Sequence, residues 1–158
     1  PDYGPLGGSG VLIPNATLSL AAITDGTSNT MMVSEHSDFM IKTDGTQQDW
    51  RGSQPWGWAI GVKGTNIPPN FDMTPDRRAF NLTTIRYAVN QKEGWDGNKS
   101  TSGVGADGAS NTPLNSAHPG GVMAVFGDGS VHSLSDSVAL DVLGRLAVRD
   151  DGQFATGY

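Results

Sequence analysis

His118 and Asp128 are the residues whose types and spacing most invite a chemical reading, with nine residues between them. A histidine and a carboxylate can work as an acid/base pair only within hydrogen-bond reach of each other. The intervening sequence argues against that. Val122-Met-Ala-Val-Phe126 is an apolar run rich in β-formers, and residues 121–127 in extended form would hold the two groups about 20 Å apart. Asp128-Gly129 separates this run from Ser130-Val-His-Ser-Leu134. An Asp-Gly pair between two strand-like runs predicts a hairpin with a two-residue type I′ turn. In that register Phe126 faces Val131 and Val125 faces His132. Val122, Ala124, Phe126 and Val131 then share one face, and Met123, Val125 and Leu134 the other. Both faces are apolar, which predicts an inner hairpin covered on both sides. Residue 121 faces residue 136 in the same register. His118 is therefore expected beside Asp136 and Ser137, tethering its loop to the start of a last helix. Asp128 becomes a turn residue, with Gly129 supplying left-handed backbone geometry.

Other residues raise other chemistries. Glu35, His36 and Asp38 lie close in sequence, but neighbours on a strand point to opposite faces, and no His-x-x-x-His or cysteine pattern supports a transition-metal site. Calcium takes oxygen ligands from flexible loops. Asp96, Asp107, Asp150 and Asp151 are the carboxylates that loops could offer it, although no Asp-x-Asp-x-Asp-Gly run is present. Trp56 and Trp58 share a strand face, suited to stacking on a sugar or to a subunit interface, and Trp50 and Trp95 add to the aromatic set. No Gly-x-Ser-x-Gly elbow, phosphate loop or dinucleotide fingerprint occurs. No nucleophile–base–orienter set can be assembled, so the expectation is a chain without catalytic residues and without a cofactor, calcium being the one left open. Asn15, Asn81 and Asn98 begin triplets of the glycosylation type.

The elements that must position these residues follow from pattern and punctuation. The chain has 158 residues, 22 glycines and 9 prolines, which predicts one globular domain with many turns and few long helices. Residues 1–14 read as extended, and 63–84 as an irregular excursion. Leu18 to Thr24 predicts a short helix stopped by Asp25-Gly26. Strands are expected over residues 30–36, 56–62 and 84–89, with a turn at Asp44-Gly45. Residues 91–113 form a long polar loop. Val138, Val142, Leu143 and Leu146 lie at helical spacing and predict a helix capped by Asp136 or Ser137 and running to Ala147. The net charge of -6 and the lack of a basic cluster argue against nucleic acid or a membrane surface as partner. With no cysteine, disulfides and thiolate chemistry are excluded.

Several motifs occur together: Ile23-Thr-Asp-Gly-Thr-Ser-Asn-Thr30 with Val33-Ser-Glu35, Arg86-Tyr87 with Asn90-Gln-Lys92, Asn115-Ser-Ala-His-Pro-Gly-Gly121, Asp128-Gly-Ser-Val131 and Leu146-Ala-Val-Arg-Asp-Asp-Gly152. In this combination the chain resembles the planctomycete-type prepilin-like family with an H-X9-DG segment, the DUF1559 domain. The resemblance covers most of the chain. It implies an α+β, mainly β domain: a pilin-like antiparallel sheet with long loops and a short C-terminal helix. It marks Asp25, Gly26, His118, Gly120, Gly121, Asp128 and Gly129 as architectural. It also implies that these residues are the distal part of a longer pseudopilin-like subunit, whose N-terminal cleavage signal and apolar helix would supply its only membrane contact. The function expected is that of a non-enzymatic subunit, exported to the periplasm or cell surface, whose partners are copies of itself or related pilin-like chains. The alternative is a surface module binding calcium or polysaccharide.

Overall fold

The run Gly121–Phe126 forms the central strand, β4, of a three-stranded antiparallel sheet in a computed structural model that describes residues 6–49, 64–72, 74, 82–83, 85–94 and 112–158. β1 (Met31–Ser34) lies on one side of it and β5 (Val131–Ser135) on the other. β2 (Phe39–Ile41) and β3 (Gln47–Asp49) form a separate hairpin about the Asp44-Gly45 turn. A 3-10 turn spans Leu20–Ala22, and the helix α1 spans Leu140–Ala147. The described architecture is α+β and mainly β.

One face of the three-stranded sheet carries the core. Val122, Ala124, Phe126 and Leu134 are at most 1% exposed, and Leu143 and Leu146 of α1 pack into the same cluster with Met31, Val89, Leu114 and Val138. Tyr158 stacks on Phe126 at 5.6 Å between ring centroids. The other face is uncovered over most of its width. Val33, Val125 and Val131 are cross-strand partners in one row, and Val33, Met123 and Val131 are exposed. The expected burial on both faces is thus corrected: among the described residues, the sheet is buried on one face only.

The turn differs from the expected two-residue loop, and the register shifts with it. Gly127-Asp128-Gly129 forms a three-residue loop in which the Gly129 N–H donates to Phe126 O and the Phe126 N–H to Ser130 O. Only Gly129 takes positive φ (85°), the pattern of a type I turn followed by a bulge. Val125 therefore pairs with Val131 and Ala124 with His132, one residue away from the expected alignment. A one-residue slip exchanges the faces of a strand, so Leu134 joins the core and Val131 faces out. The physical cause is tertiary. Gly127 N–H donates to Thr30 O and Asp128 N–H to Thr27 O, which draws Gly127 out of the strand and into the loop.

Two further expectations are corrected. Residues 85–89 form no strand. Ile85 and Val89 pack against the core by their side chains, and the backbone turns at Asn90, whose φ is 56°. Neither Asp136 nor Ser137 caps α1: the cap position is Ala139, with no side-chain bond. Ser137 instead belongs to a turn closing β5, its N–H donating to Ser135 Oγ while the Val138 N–H donates to Ser135 O. The strand expected over 56–62 lies outside the described residues.

Candidate functional site

The loop Asn115–Gly120 leads into β4 and is held on the β1 side of the sheet. Asn115 is fully buried, and its backbone bridges His36 just beyond β1. Its Oδ1 accepts from the N–H groups of Ser37 and Asp38, at 3.1 and 2.8 Å, and its Nδ2 donates to Pro113 O. Asn90 mirrors this from the other flank. Its Oδ1 accepts from Ser116 N–H at 2.9 Å, and its Nδ2 donates to Gly121 O. Lys92 Nζ lies 2.5 Å from both Asp38 Oδ2 and Ser116 O. Glu35 Oε2 accepts from Met123 N–H at 2.8 Å. Two asparagines, a lysine and two acids thus tie residues 35–38, 90–92, 115–116 and 121–123 together, mostly through backbone groups.

His118 belongs to this cluster rather than to the start of α1. Its Nε2 lies 3.5 Å from Glu35 Oε1, and its side chain is 69% exposed. The loop is tied to the far end of β5 through backbone alone, where the Asp136 N–H donates to Gly120 O at 3.0 Å. The expected tether between His118 and Asp136 is therefore replaced by an exposed His118–Glu35 pair. The reason is the topology: β4 is central, and the Asn115 anchor draws the loop towards β1, away from β5.

Gly120 and Gly121 serve different needs. Gly120 has φ 83°, which suits glycine. A Cβ on Gly121 would stand 2.2 Å from Leu134 O, so only glycine allows β5 this close.

Asp128 sits at the other end of β4. Its Oδ1 accepts from Ser130 N–H (2.9 Å) and Ser130 Oγ (2.6 Å), which holds its carboxyl below the usual carboxylate range. Ser130 Oγ in turn lies 2.9 Å from His132 Nε2, whose ring packs edge-on to Phe126. Acid, hydroxyl and imidazole are in line, but with the hydroxyl in the middle. A base can activate a serine only by taking its proton, and here that hydrogen bond goes to Asp128. The chain of three rigidifies the turn and offers no nucleophile. In the sequence only the alternation Asp128-x-Ser130-x-His132 signals it.

A second cluster joins the two ends of the described chain. Asp25 is 3% exposed, and its two carboxylate oxygens accept from Asp151 N–H (2.8 Å) and Gly152 N–H (2.9 Å). Its own N–H donates to Arg149 O. Gly26 takes φ 93° to close the turn. Arg149 Nη1 donates to Gly8 O and Gly10 O at 2.6 and 2.7 Å, and Arg149 Nη2 pairs with Asp150 at 3.2 Å. Arg149 as a clamp on residues 8–10 has no local sequence signal, because its acceptors are backbone carbonyls at the far end of the chain.

The metal candidates separate. Glu35 engages Met123 and His118, Asp38 engages Lys92, Asp150 engages Arg149, and Asp151 accepts from the Gln153 N–H. Among the described residues no group of three or more histidines or acids is placed to hold a metal ion. Asp96, Asp107, Trp50, Trp56, Trp58 and Trp95 lie outside the described residues. His36 is the odd member. Its Nε2 is buried without a partner among the described residues, and burial lowers its pKa from 6.5 to about 4. An open apolar groove of about 610 Å³ runs beside residues 11–20, with Ile23, Met32 and Leu82. It is remote in kind from both clusters, since none of their hydrogen-bonding side chains lines it. No helix among the described residues is long and apolar enough to cross a membrane.

No curated protein and no solved structure matches the chain significantly. A family model, described as a protein of unknown function (DUF1559), matches residues 3–141. The match takes in the Asp25 turn, the Asn90–Lys92 and Asn115–Gly121 segments and the β4–β5 hairpin, and on it the chain belongs to the DUF1559 family.

Proposed function

We propose that this chain is a non-enzymatic structural subunit of an exported, pseudopilin-like assembly at the cell surface or in a filament, acting through association with copies of itself or related chains. One observation carries the reading. The polar side chains of the sequence motifs are engaged in holding distant backbone segments to one another: Asp25 to residues 151–152, Asn115 to 37–38, Asn90 to 116 and 121, Glu35 to 123. A catalytic set would aim such groups at a shared cavity, where a reacting atom could sit near all of them. Here they build a rigid frame under a sheet whose outer face carries an exposed apolar row. An apolar face of that kind suits packing against another subunit.

Electron microscopy of the purified chain over a rising concentration series tests the proposal. Filaments, rings or ordered arrays are expected. A particle that stays monomeric at every concentration, alone and with related family chains, would overturn it.

A further inference from the structure

We infer that Glu35 and His118 form a surface site for a divalent first-row transition ion, of which Zn2+ is the simplest probe. The site goes beyond the subunit reading above and does not depend on it.

The two donors stand at the spacing of shared ligation rather than of a hydrogen bond. His118 Nε2 lies 3.5 Å from Glu35 Oε1. A charge-assisted N–H···O bond closes to about 2.7–2.9 Å. Two ligands, each about 2.0–2.1 Å from one tetrahedral Zn2+, stand about 3.4 Å apart. Neither atom has another hydrogen-bond partner, so both lone pairs are on offer.

Both donors are held in place. Glu35 Oε2 accepts from the Met123 N–H at 2.8 Å, which leaves Oε1 to face His118. The Glu35 backbone is fixed as well: its N–H donates to Met123 O, and its O accepts from the Asn115 N–H. Across the gap the His118 N–H donates to Ser116 Oγ at 3.2 Å, and Ser116 is buried. Hydrogen bonds that orient a ligating carboxylate strengthen its hold on a metal.

The donor chemistry selects the ion. Calcium and magnesium take oxygen ligands, whereas imidazole suits zinc, copper and nickel. The chain has three histidines and no cysteine. His36 keeps its Nε2 buried, and His132 Nε2 is bonded to Ser130. His118 alone presents an unbonded Nε2 at the surface, its side chain 69% exposed. The positive charge of Lys92 is met by Asp38 rather than by Glu35. The net charge of -6 also favours the approach of a cation. Among the described residues no third histidine or acid joins the pair. Residues 117–120 are exposed, so water fills the remaining positions. Two protein ligands in place of three or four make this a weak, exchangeable site.

Isothermal titration calorimetry of the chelator-treated full chain with Zn2+ tests this, for the wild type, His118→Ala and Glu35→Gln. The wild type should take up the ion, and each variant should bind it at least about tenfold more weakly. Excess Ca2+ should not displace it. Circular dichroism checks that the variants fold. Glu35→Gln keeps an oxygen for the Met123 N–H, and His118 is exposed. Should Glu35→Gln not fold, the imidazole resonances of the wild type give a second reading. Zn2+ should shift those of His118 and leave those of His132 in place. No uptake, an affinity unchanged in either folded variant, displacement by Ca2+, or His118 resonances that do not move would each overturn the site. None of these results bears on the subunit reading, which the concentration series decides.

Discussion

Replacing Asp25 should loosen the whole chain, because its carboxylate is the knot between two segments more than a hundred residues apart. It is 3% exposed and accepts from the N–H groups of Asp151 and Gly152 at 2.8 and 2.9 Å. Hydrogen bonds to an ionised group contribute about 1.5–3 kcal/mol each, so two of them bound the loss in Asp25→Ala at about 6 kcal/mol. The real loss is smaller, since both donors belong to exposed residues and water can reach them once the side chain is shortened. We expect about 2–4 kcal/mol. For a chain of this length, that lowers Tm by about 5–15 °C. Asp25→Asn keeps the shape but turns an NH₂ towards one of the two N–H groups, so it should lose at least half as much. Urea and thermal unfolding followed by circular dichroism give both values, and hydrogen exchange reads the 151 and 152 amides directly. If both variants lie within about 0.5 kcal/mol of wild type, the range of an ordinary surface substitution, the reasoning is wrong.

Three other outcomes follow from the same geometry. Gly121→Ala should cost about 2–3 kcal/mol by overpacking against Leu134 O, whereas Gly120→Ala should cost about 1 kcal/mol for its left-handed backbone; equal losses in urea unfolding would contradict the distinction. His118→Ala should cost about 0–1 kcal/mol, as the His118 side chain that pairs with Glu35 is largely exposed, and a larger loss would show that the pair is worth more than a surface ion pair. The His36 pKa is lowered from 6.5 to about 4, so the unfolded chain takes up this proton first. The stability it contributes is therefore complete above pH 6.5 and falls as the pH drops towards 4, by about 3 kcal/mol at the limit. His36→Gln should flatten that part of the stability–pH curve, and an unchanged slope would show that the ring is hydrated.

Element identity was legible in the sequence where periodicity was strong. β1, β4, β5 and the end of α1 fall where apolar alternation or helical spacing puts them. Register was not legible, and Gly127 shows why. Read locally, Asp128-Gly129 asks for a two-residue loop. The loop has three residues because Thr27 O and Thr30 O draw Gly127 and Asp128 to them. A local rule cannot include acceptors a hundred residues away. The same holds for His118. Its loop was placed by counting along the hairpin, but Asn115 anchors that loop to residues 36–38 on the opposite side of β4. The β2–β3 hairpin was missed for another reason: Gln47, Gln48 and Asp49 carry no apolar alternation, so only the Asp44-Gly45 turn between the strands gave a signal.

The shifted register and the displaced His118 loop share a cause that explains why the motifs occur together. The turn at residues 25–30 makes contacts in two directions. Its acid holds residues 151–152 after the last helix, and its carbonyls at Thr27 and Thr30 hold residues 127–128 at the tip of the hairpin. Ile23-Thr-Asp-Gly and Asp128-Gly are therefore two halves of one packed joint, and Arg149-Asp-Asp-Gly closes it. At the other end of β4, Glu35, Asn90 and Asn115 perform the same service for the strand's entry. The nine-residue spacing between His118 and Asp128 is then the length of strand that fits between two fixed joints. Lengthening β4 by one residue would exchange its faces and break one joint or the other, which is a stronger constraint on spacing than any reaction between the two side chains.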